Sequence, residues 1–158
     1  MALEKATFGA GCFWGVEARF SELHGVLDTA AGYEGGQLEH PTYKEVCTDR
    51  TGHAEVVDIT FDSSRLSYEA LLDAFFSLHD PTQLNRQGPD WGTQYRSVIF
   101  THSDEQAAQA KSKIVELNAS GSFRNPVVTQ VVPATIFWKA EEYHQKYLEK
   151  RGMASCHI

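Results

Sequence analysis

Apolar residues recur along this chain at two different spacings, and the alternation between them predicts its elements. From Cys12 to Leu23, Phe13, Val16, Phe20 and Leu23 stand three and four residues apart, on one face of a helix. Gly25 follows as a stop signal. Ahead of this helix, Ala6-Thr7-Phe8 reads as a short strand running into Gly9-Ala10-Gly11. After it, Val26 to Tyr33 reads as a strand and Gly35-Gly36 as a turn. Residues 37–52 form a polar loop, and Ala54 to Phe61 is the clearest strand. There Val57, Ile59 and Phe61 fall on one face, and Asp58 and Thr60 on the other.

The second half continues the same way. Ser67 is placed to cap a helix whose buried side carries Leu71, Leu72, Phe75, Phe76 and Leu78, with Pro81 ending it. A loop rich in Gly, Asn, Pro and Gln runs to about Gly92, and Tyr95 to Thr101 reads as a strand. Ser103 and Gln106 have the spacing of a capping box, opening a helix to about Asn118. Val127 to Val132 reads as a strand and Glu141 to Lys150 as a last helix. The order, roughly β-α-β-β-α-β-α-β-α, predicts an α+β fold with helices packed on a sheet. No repeat or linker divides residues 1–158, so a single domain is expected.

Composition narrows the partners. The hydrophobic share of 42% and charged share of 22% belong to an ordinary globular chain. With 14 basic against 21 acidic residues the formal charge is −7, which argues against nucleic acid and anionic membranes as partners. No apolar run reaches membrane-spanning length, and Met1-Ala2-Leu3-Glu4-Lys5 lacks the apolar stretch of a secretory signal, so a reducing cytoplasm is expected. The three cysteines at 12, 47 and 156 are too few and scattered for a disulfide scaffold. Without a Cys-x-x-Cys pair, no structural zinc site is expected.

Chemistry concentrates at Gly9-Ala10-Gly11-Cys12-Phe13-Trp14-Gly15. A dinucleotide-binding turn would need its third glycine at 14, where Trp14 stands, and bulky Phe13 and Trp14 would block a pyrophosphate. A thiol at a helix N-terminus fits better. Unpaired N–H groups and the helix dipole favour its ionisation there, and the glycines leave it open. An isolated cysteine is more often buried filler, but the glycine frame and the strand-to-helix position make Cys12 the candidate nucleophile. Glu55 shares parity with Val57, Ile59 and Phe61. It either holds its proton on the apolar side as a general acid or faces water at a frayed strand end. Phe13, Trp14, Tyr43 and Tyr95 are aromatics suited to walling a small pocket, although packing is the commoner role for any one of them. His144 could pair with Cys12 as a base, but beside charged neighbours a surface or capping role is the commoner one. Cys156 is either an inert tail thiol or one able to reach an oxidised Cys12, and Cys47 reads as packing.

Taken with that first block, several runs make the chain resemble the A-type peptide methionine sulfoxide reductases. They are Thr29-Ala30-Ala31-Gly32-Tyr33, Pro41-Thr42-Tyr43, Thr51-Gly52-His53-Ala54-Glu55, His79-Asp80-Pro81, Gly92-Thr93-Gln94-Tyr95-Arg96-Ser97 and His144-Gln145-Lys146-Tyr147-Leu148. The resemblance implies a ferredoxin-like two-layer α/β sandwich with a mixed sheet. It implies Cys12 as nucleophile and Glu55 as the acid that protonates the sulfoxide oxygen. Tyr43 and Tyr95 would bind that oxygen, Asp90 would support the site, and Phe13 and Trp14 would receive the S-methyl group. Cys156 would be the resolving thiol, on a mobile tail from about residue 145 to 158. Its setting, Gly152-Met153-Ala154-Ser155-Cys156, departs from the Gly-Tyr-Cys-Gly tail of many relatives, and a further relay cysteine is absent.

The implied activity is reduction of methionine-S-sulfoxide, free or in proteins. It would proceed through a sulfenic acid on Cys12 and a Cys12–Cys156 disulfide, recycled by thioredoxin or another dithiol, in a monomer with no metal or organic cofactor. Two rival readings remain: a Cys-His acyl transferase or protease built on Cys12 and His144, and a redox-sensing binding module.

Overall fold

A computed structural model describes residues 2–151. In chain order the elements are β1 (Leu3–Ala10), α1 (Phe13–Ser21), β2 (Val26–Glu34), α2 (Tyr43–Val46), β3 (Ala54–Asp62), α3 (Tyr68–Leu78), β4 (Arg86–Gln87), β5 (Asp90–Trp91), β6 (Ser97–Thr101), α4 (Asp104–Ser120), β7 (Gln130–Pro133), β8 (Trp138–Lys139) and α5 (Tyr147–Lys150). Short 3₁₀ turns occupy Thr93–Tyr95 and Glu142–His144. The main sheet runs β7-β6-β1-β3-β2-β8, antiparallel throughout except for the parallel β6–β7 pair. Its β1-α1-β2-β3-α3-β6 portion, in sheet order β6-β1-β3-β2, is the split βαβ arrangement of a ferredoxin-like fold. The α+β sandwich with a mixed sheet is therefore the architecture observed.

Side-chain parity decides which face is covered. Val57, Ile59 and Phe61 of β3 join Phe8 of β1, Phe13, Val16 and Phe20 of α1, and Leu71, Leu72 and Phe75 of α3 in one buried cluster. Ala54 and Val56 point the other way and pack with Val98, Phe100, Val132, Ala134 and Phe137. Both long helices open on serine caps: Ser67 accepts from Ala70 N and Ser103 from Gln106 N. The Gln106 side chain does not complete a capping box with Ser103. Its carbonyl takes His102 N and its amide donates to Lys5 O, tying α4 to β1.

Several stretches differ from the sequence expectation: the strand expected from Val127 starts only at Gln130, and β8 lies where no element was expected. The 37–52 loop contains α2, held by a capping box between Thr42 and Glu45. The 81–92 loop folds back as a β4–β5 hairpin. The strand expected from Tyr95 begins only at Ser97, because Gly92, with φ of +133°, turns Thr93–Tyr95 into a 3₁₀ turn. The helix expected over 141–150 is interrupted, with Lys146 left-handed at φ +52°. There Gln145 leaves the helix path to bond the backbone of Ala31 (N and O) and Ala140 (O), and Lys146 N donates to Glu17. Residues 145–151, expected at the head of a mobile tail, are folded onto the body, with Gln145 and Leu148 buried. Cys156 lies outside the described residues.

Candidate active site

Antiparallel pairing brings four strand ends to one edge of the sheet. Ala10 at the end of β1 lies opposite Ser97 at the start of β6, and Tyr33 near the end of β2 lies opposite Glu55 at the start of β3. Gly9 lets them close up, since a Cβ there would stand 2.7 Å from Val98 Cγ1 and 3.1 Å from Glu55 O. Gly11, at φ +95°, then turns the chain into α1. Cys12 occupies the N-cap position, half-buried, with no side chain capping the helix. The first helical N–H, of Phe13, reaches across to Glu55 Oε1 at 3.3 Å. The thiol and the carboxyl therefore share one helix N-terminus, where partial positive charge favours anions.

Glu55 is only 1% exposed and faces the helix layer, as its parity predicts. Burial pushes its pKa up to about 7. The hydrogen bonds from Phe13 N and from Gln94 Nε2 (3.3 Å to Oε2) pull against that, and the field of Asp90 adds to it. Such a carboxyl is partly protonated at neutral pH, as a general acid must be.

Tyr43 of α2 and Tyr95 of the Thr93–Tyr95 turn lie within the field of this carboxyl. Burial first, then the charge of Glu55, raises both phenols above their ordinary range, so both remain O–H donors. The Cys47 side chain acts on the phenol of Tyr43, whose backbone N–H donates to Glu141, which also accepts from Tyr33 OH. Burial works against ionisation of Glu141, but these bonds outweigh it and keep the carboxyl below its usual range. Asp90, on the β4–β5 hairpin, acts on both Glu55 and Tyr95 through its charge. The turn bearing Gln94 and Tyr95 is fixed from outside. Asp49 accepts from Thr93 N and Oγ1, and Arg96 donates to Thr93 O and Gly52 O.

An aromatic stack borders the thiol. Phe13 is buried against Tyr33, Tyr43 and His144, with centroids 5.7, 6.3 and 5.1 Å away. Half-buried Trp14 lies flat on Tyr147 at 3.8 Å, and the Arg151 guanidinium sits over the Tyr147 ring at 4.5 Å. Trp14 Nε1 donates to His144 Nδ1 at 2.9 Å, which places the histidine proton on Nε2, and Nε2 has no hydrogen-bond partner among the described residues. His144 is thus buried rather than at the surface. Burial lowers its pKa, and it makes no hydrogen bond to Cys12. The Cys-His hydrolase reading fails on that geometry.

Cys12, Phe13, Trp14, Tyr43, Glu55, Asp90 and Tyr95 are thus gathered at one edge of the sheet. Cys47 is exposed rather than packed, and its sulfur accepts from Gln94 Nε2 at 3.5 Å. Sequence reasoning passed over Gln94, Glu141 and Tyr147. Gln94 and Tyr147 sit in family-like runs, but no periodicity marks any of the three as facing the site. Among the described residues, no cluster of three or more His, Cys, Asp or Glu could hold a metal ion, and no helix is long and apolar enough to cross a membrane.

Comparison with known proteins agrees with this geometry. The family model described as "Peptide methionine sulfoxide reductase" matches residues 4–158. A peptide methionine sulfoxide reductase MsrA of Acidobacterium capsulatum is 69% identical over 156 residues, covering 99% of this chain and 100% of that relative. Among solved structures, reduced Mxr1 from Saccharomyces cerevisiae superposes with a TM-score of 0.89 at 34% identity, covering 99% of this chain and 90% of that one. Methionine sulfoxide reductase A of Corynebacterium diphtheriae gives a TM-score of 0.85 at 37% identity, covering 98% and 78%.

Proposed function

The chain belongs to the peptide methionine sulfoxide reductase family of oxidoreductases, which return methionine sulfoxide to methionine, and from that premise we propose how its own residues carry the reaction. The sulfoxide oxygen lies among Tyr43 OH, Tyr95 OH and the protonated Glu55, with the S-methyl group against the aromatic wall that Trp14 and Phe13 present. Glu55 gives its proton to the oxygen as the Cys12 thiolate attacks the sulfur. That attack forms an S–S bond. The hydroxyl then passes from the substrate sulfur to the Cys12 sulfur as the S–S bond breaks, methionine leaves with the electron pair, and Cys12, oxidised by two electrons, is left as a sulfenic acid. Asp90 holds Glu55 towards its protonated form.

The thiol of Cys156 then condenses with the sulfenic acid, releasing water and forming a Cys12–Cys156 disulfide. Thioredoxin, a dithiol, reduces that bond by exchange. The substrate is the S-epimer, free or within oxidised proteins, and the enzyme acts in the cytoplasm as a monomer without a metal or organic cofactor.

One observation carries this reading: a buried carboxyl, poised near neutrality, shares the α1 N-terminus with a half-buried thiol. A Cys-His hydrolase would need a base on its thiol, which His144 does not supply, and a redox sensor needs no acid at all. Incubation with methionine-S-sulfoxide and dithiothreitol tests it. Release of methionine is expected, and a chain that forms a disulfide without releasing methionine would be a sensor instead.

A further inference from the structure

The two oxygens of the Glu55 carboxyl are held by two donors, the Phe13 backbone N–H at Oε1 and the Gln94 side-chain amide at Oε2, each 3.3 Å away. The first is part of the helix and comes with the fold. The second is a choice of side chain. Gln94 is 3% exposed, and its Nε2 is directed at both Glu55 Oε2 and Cys47 Sγ, so each of its two N–H groups has an acceptor. Its turn is pinned by Asp49, Gly92 and Arg96, none of which touches Glu55 in these bonds.

We propose that Gln94 is a positioning residue for the proton donor: its amide orients the Glu55 carboxyl and sets how tightly that carboxyl holds its proton. The inference rests on the reading of Glu55 as the acid. A buried glutamate with too few donors would stay protonated well above neutrality, a weak acid towards sulfoxide. A cationic partner in place of the amide would strip the proton at working pH. A neutral amide supplies an intermediate pull, and after proton transfer it still donates to the carboxylate left behind.

Other groups bear on Glu55 from each surrounding element. Asp90 of β5 opposes its ionisation, while Tyr33 of β2, Tyr43 of α2 and Tyr95 of the same turn have phenols pushed upward and stay neutral over the range tested. The Cys12 and Cys47 thiols act on Tyr95 and are common to all the variants compared, so the difference isolates Gln94.

The test uses the full chain with Gln94→Met, which keeps length without a donor, and Gln94→Asn, which keeps the amide but draws it back. The Glu55 carboxyl is followed by ¹³C NMR titration, its resonance identified by its loss in Glu55→Gln. Methionine formed in a single turnover is measured across the same pH range. In Gln94→Met the titration midpoint rises by about one pH unit, and the alkaline limb of the rate profile moves up with it. Gln94→Asn shifts both less, in the same direction. A midpoint unmoved or lowered in both variants overturns the proposal. A raised midpoint with an unmoved rate profile would show that Gln94 sets the proton affinity of Glu55 but that Glu55 is not the acid, overturning the reading on which the positioning role rests.

Discussion

Individual side chains divide the labour here, and each can be removed separately. Cys12→Ser is expected to leave the fold intact and abolish methionine formation, because the hydroxyl is a far weaker nucleophile than a thiolate. Appreciable single-turnover product would remove Cys12 from the chemistry. Glu55→Gln keeps the shape but loses the transferable proton, so the sulfoxide-reducing step should slow by about 10²–10⁴-fold. The sequence singled out Cys12 by its glycine frame; for Glu55 strand parity left the apolar side and water open, and the fold buries it. Gln94 was not legible in the sequence, since its position depends on a turn set by contacts from residues 49 and 52. A second buried carboxyl allows a stability test away from the site. Glu34 is 1% exposed and accepts from Thr135 N. Burial pushes its pKa up to about 7, against that bond, with Asp58 adding to the rise. A folded-state pKa above the unfolded one means that stability is fully present below about pH 4.5 and lost as pH rises through 7. Glu34→Gln should therefore stabilise the protein at pH 8, by up to about 3 kcal/mol, and hardly at all at pH 4.5. Equal denaturation midpoints for variant and parent at pH 8 would show that the carboxyl is not strained.

The helices and strand read from apolar spacing, α1, β3 and α3, appear where the pattern places them, and α4 where its serine cap does, because their apolar side chains pack into the buried clusters on the sheet. The short pieces do not follow from pattern. α2 has four residues and depends on the Thr42–Glu45 box, and β8 has two and exists only by pairing with β2. Residues 141–150 carry a helical pattern, but tertiary bonds win: Gln145 replaces strand-like partners for Ala31, and buried Glu17 draws in Lys146 N. That trade gives a prediction for this segment as a unit. Gln145→Ala leaves Ala31 N and Ala140 O without their buried partner, at about 1–3 kcal/mol for each unsatisfied group. The variant should lose at least about 2 kcal/mol in denaturant unfolding. KM for sulfoxide should rise, since His144 and Tyr147, which flank Gln145, brace Trp14. An unchanged unfolding midpoint would mean that the segment is held by α5 packing alone.

Across the whole molecule, the sheet order explains why residues 12, 55 and 95 meet. With β1 and β3 central and antiparallel, the end of β1 and the starts of β3 and β6 fall at one edge, and α1 begins there. The last described residues come back to the same edge: Trp14, two residues from the proposed nucleophile Cys12, stacks on Tyr147, which carries Arg151 on its ring. Cys156 follows Arg151 by five residues, a tether that spans at most about 17 Å. The chain is therefore anchored beside the site shortly before the proposed resolving thiol, although the familiar Gly-Tyr-Cys-Gly context is missing. Cys156→Ser should still yield about one methionine per enzyme, because oxygen transfer needs no thiol besides Cys12. Turnover with thioredoxin should then stall, whereas dithiothreitol, small enough to reach the sulfenic acid, should still drive the cycle. A peptide map of the oxidised parent enzyme decides which thiol resolves. A bridge from Cys12 to Cys156 is expected. One only to Cys47, whose sulfur already accepts from Gln94, would transfer the resolving role to α2.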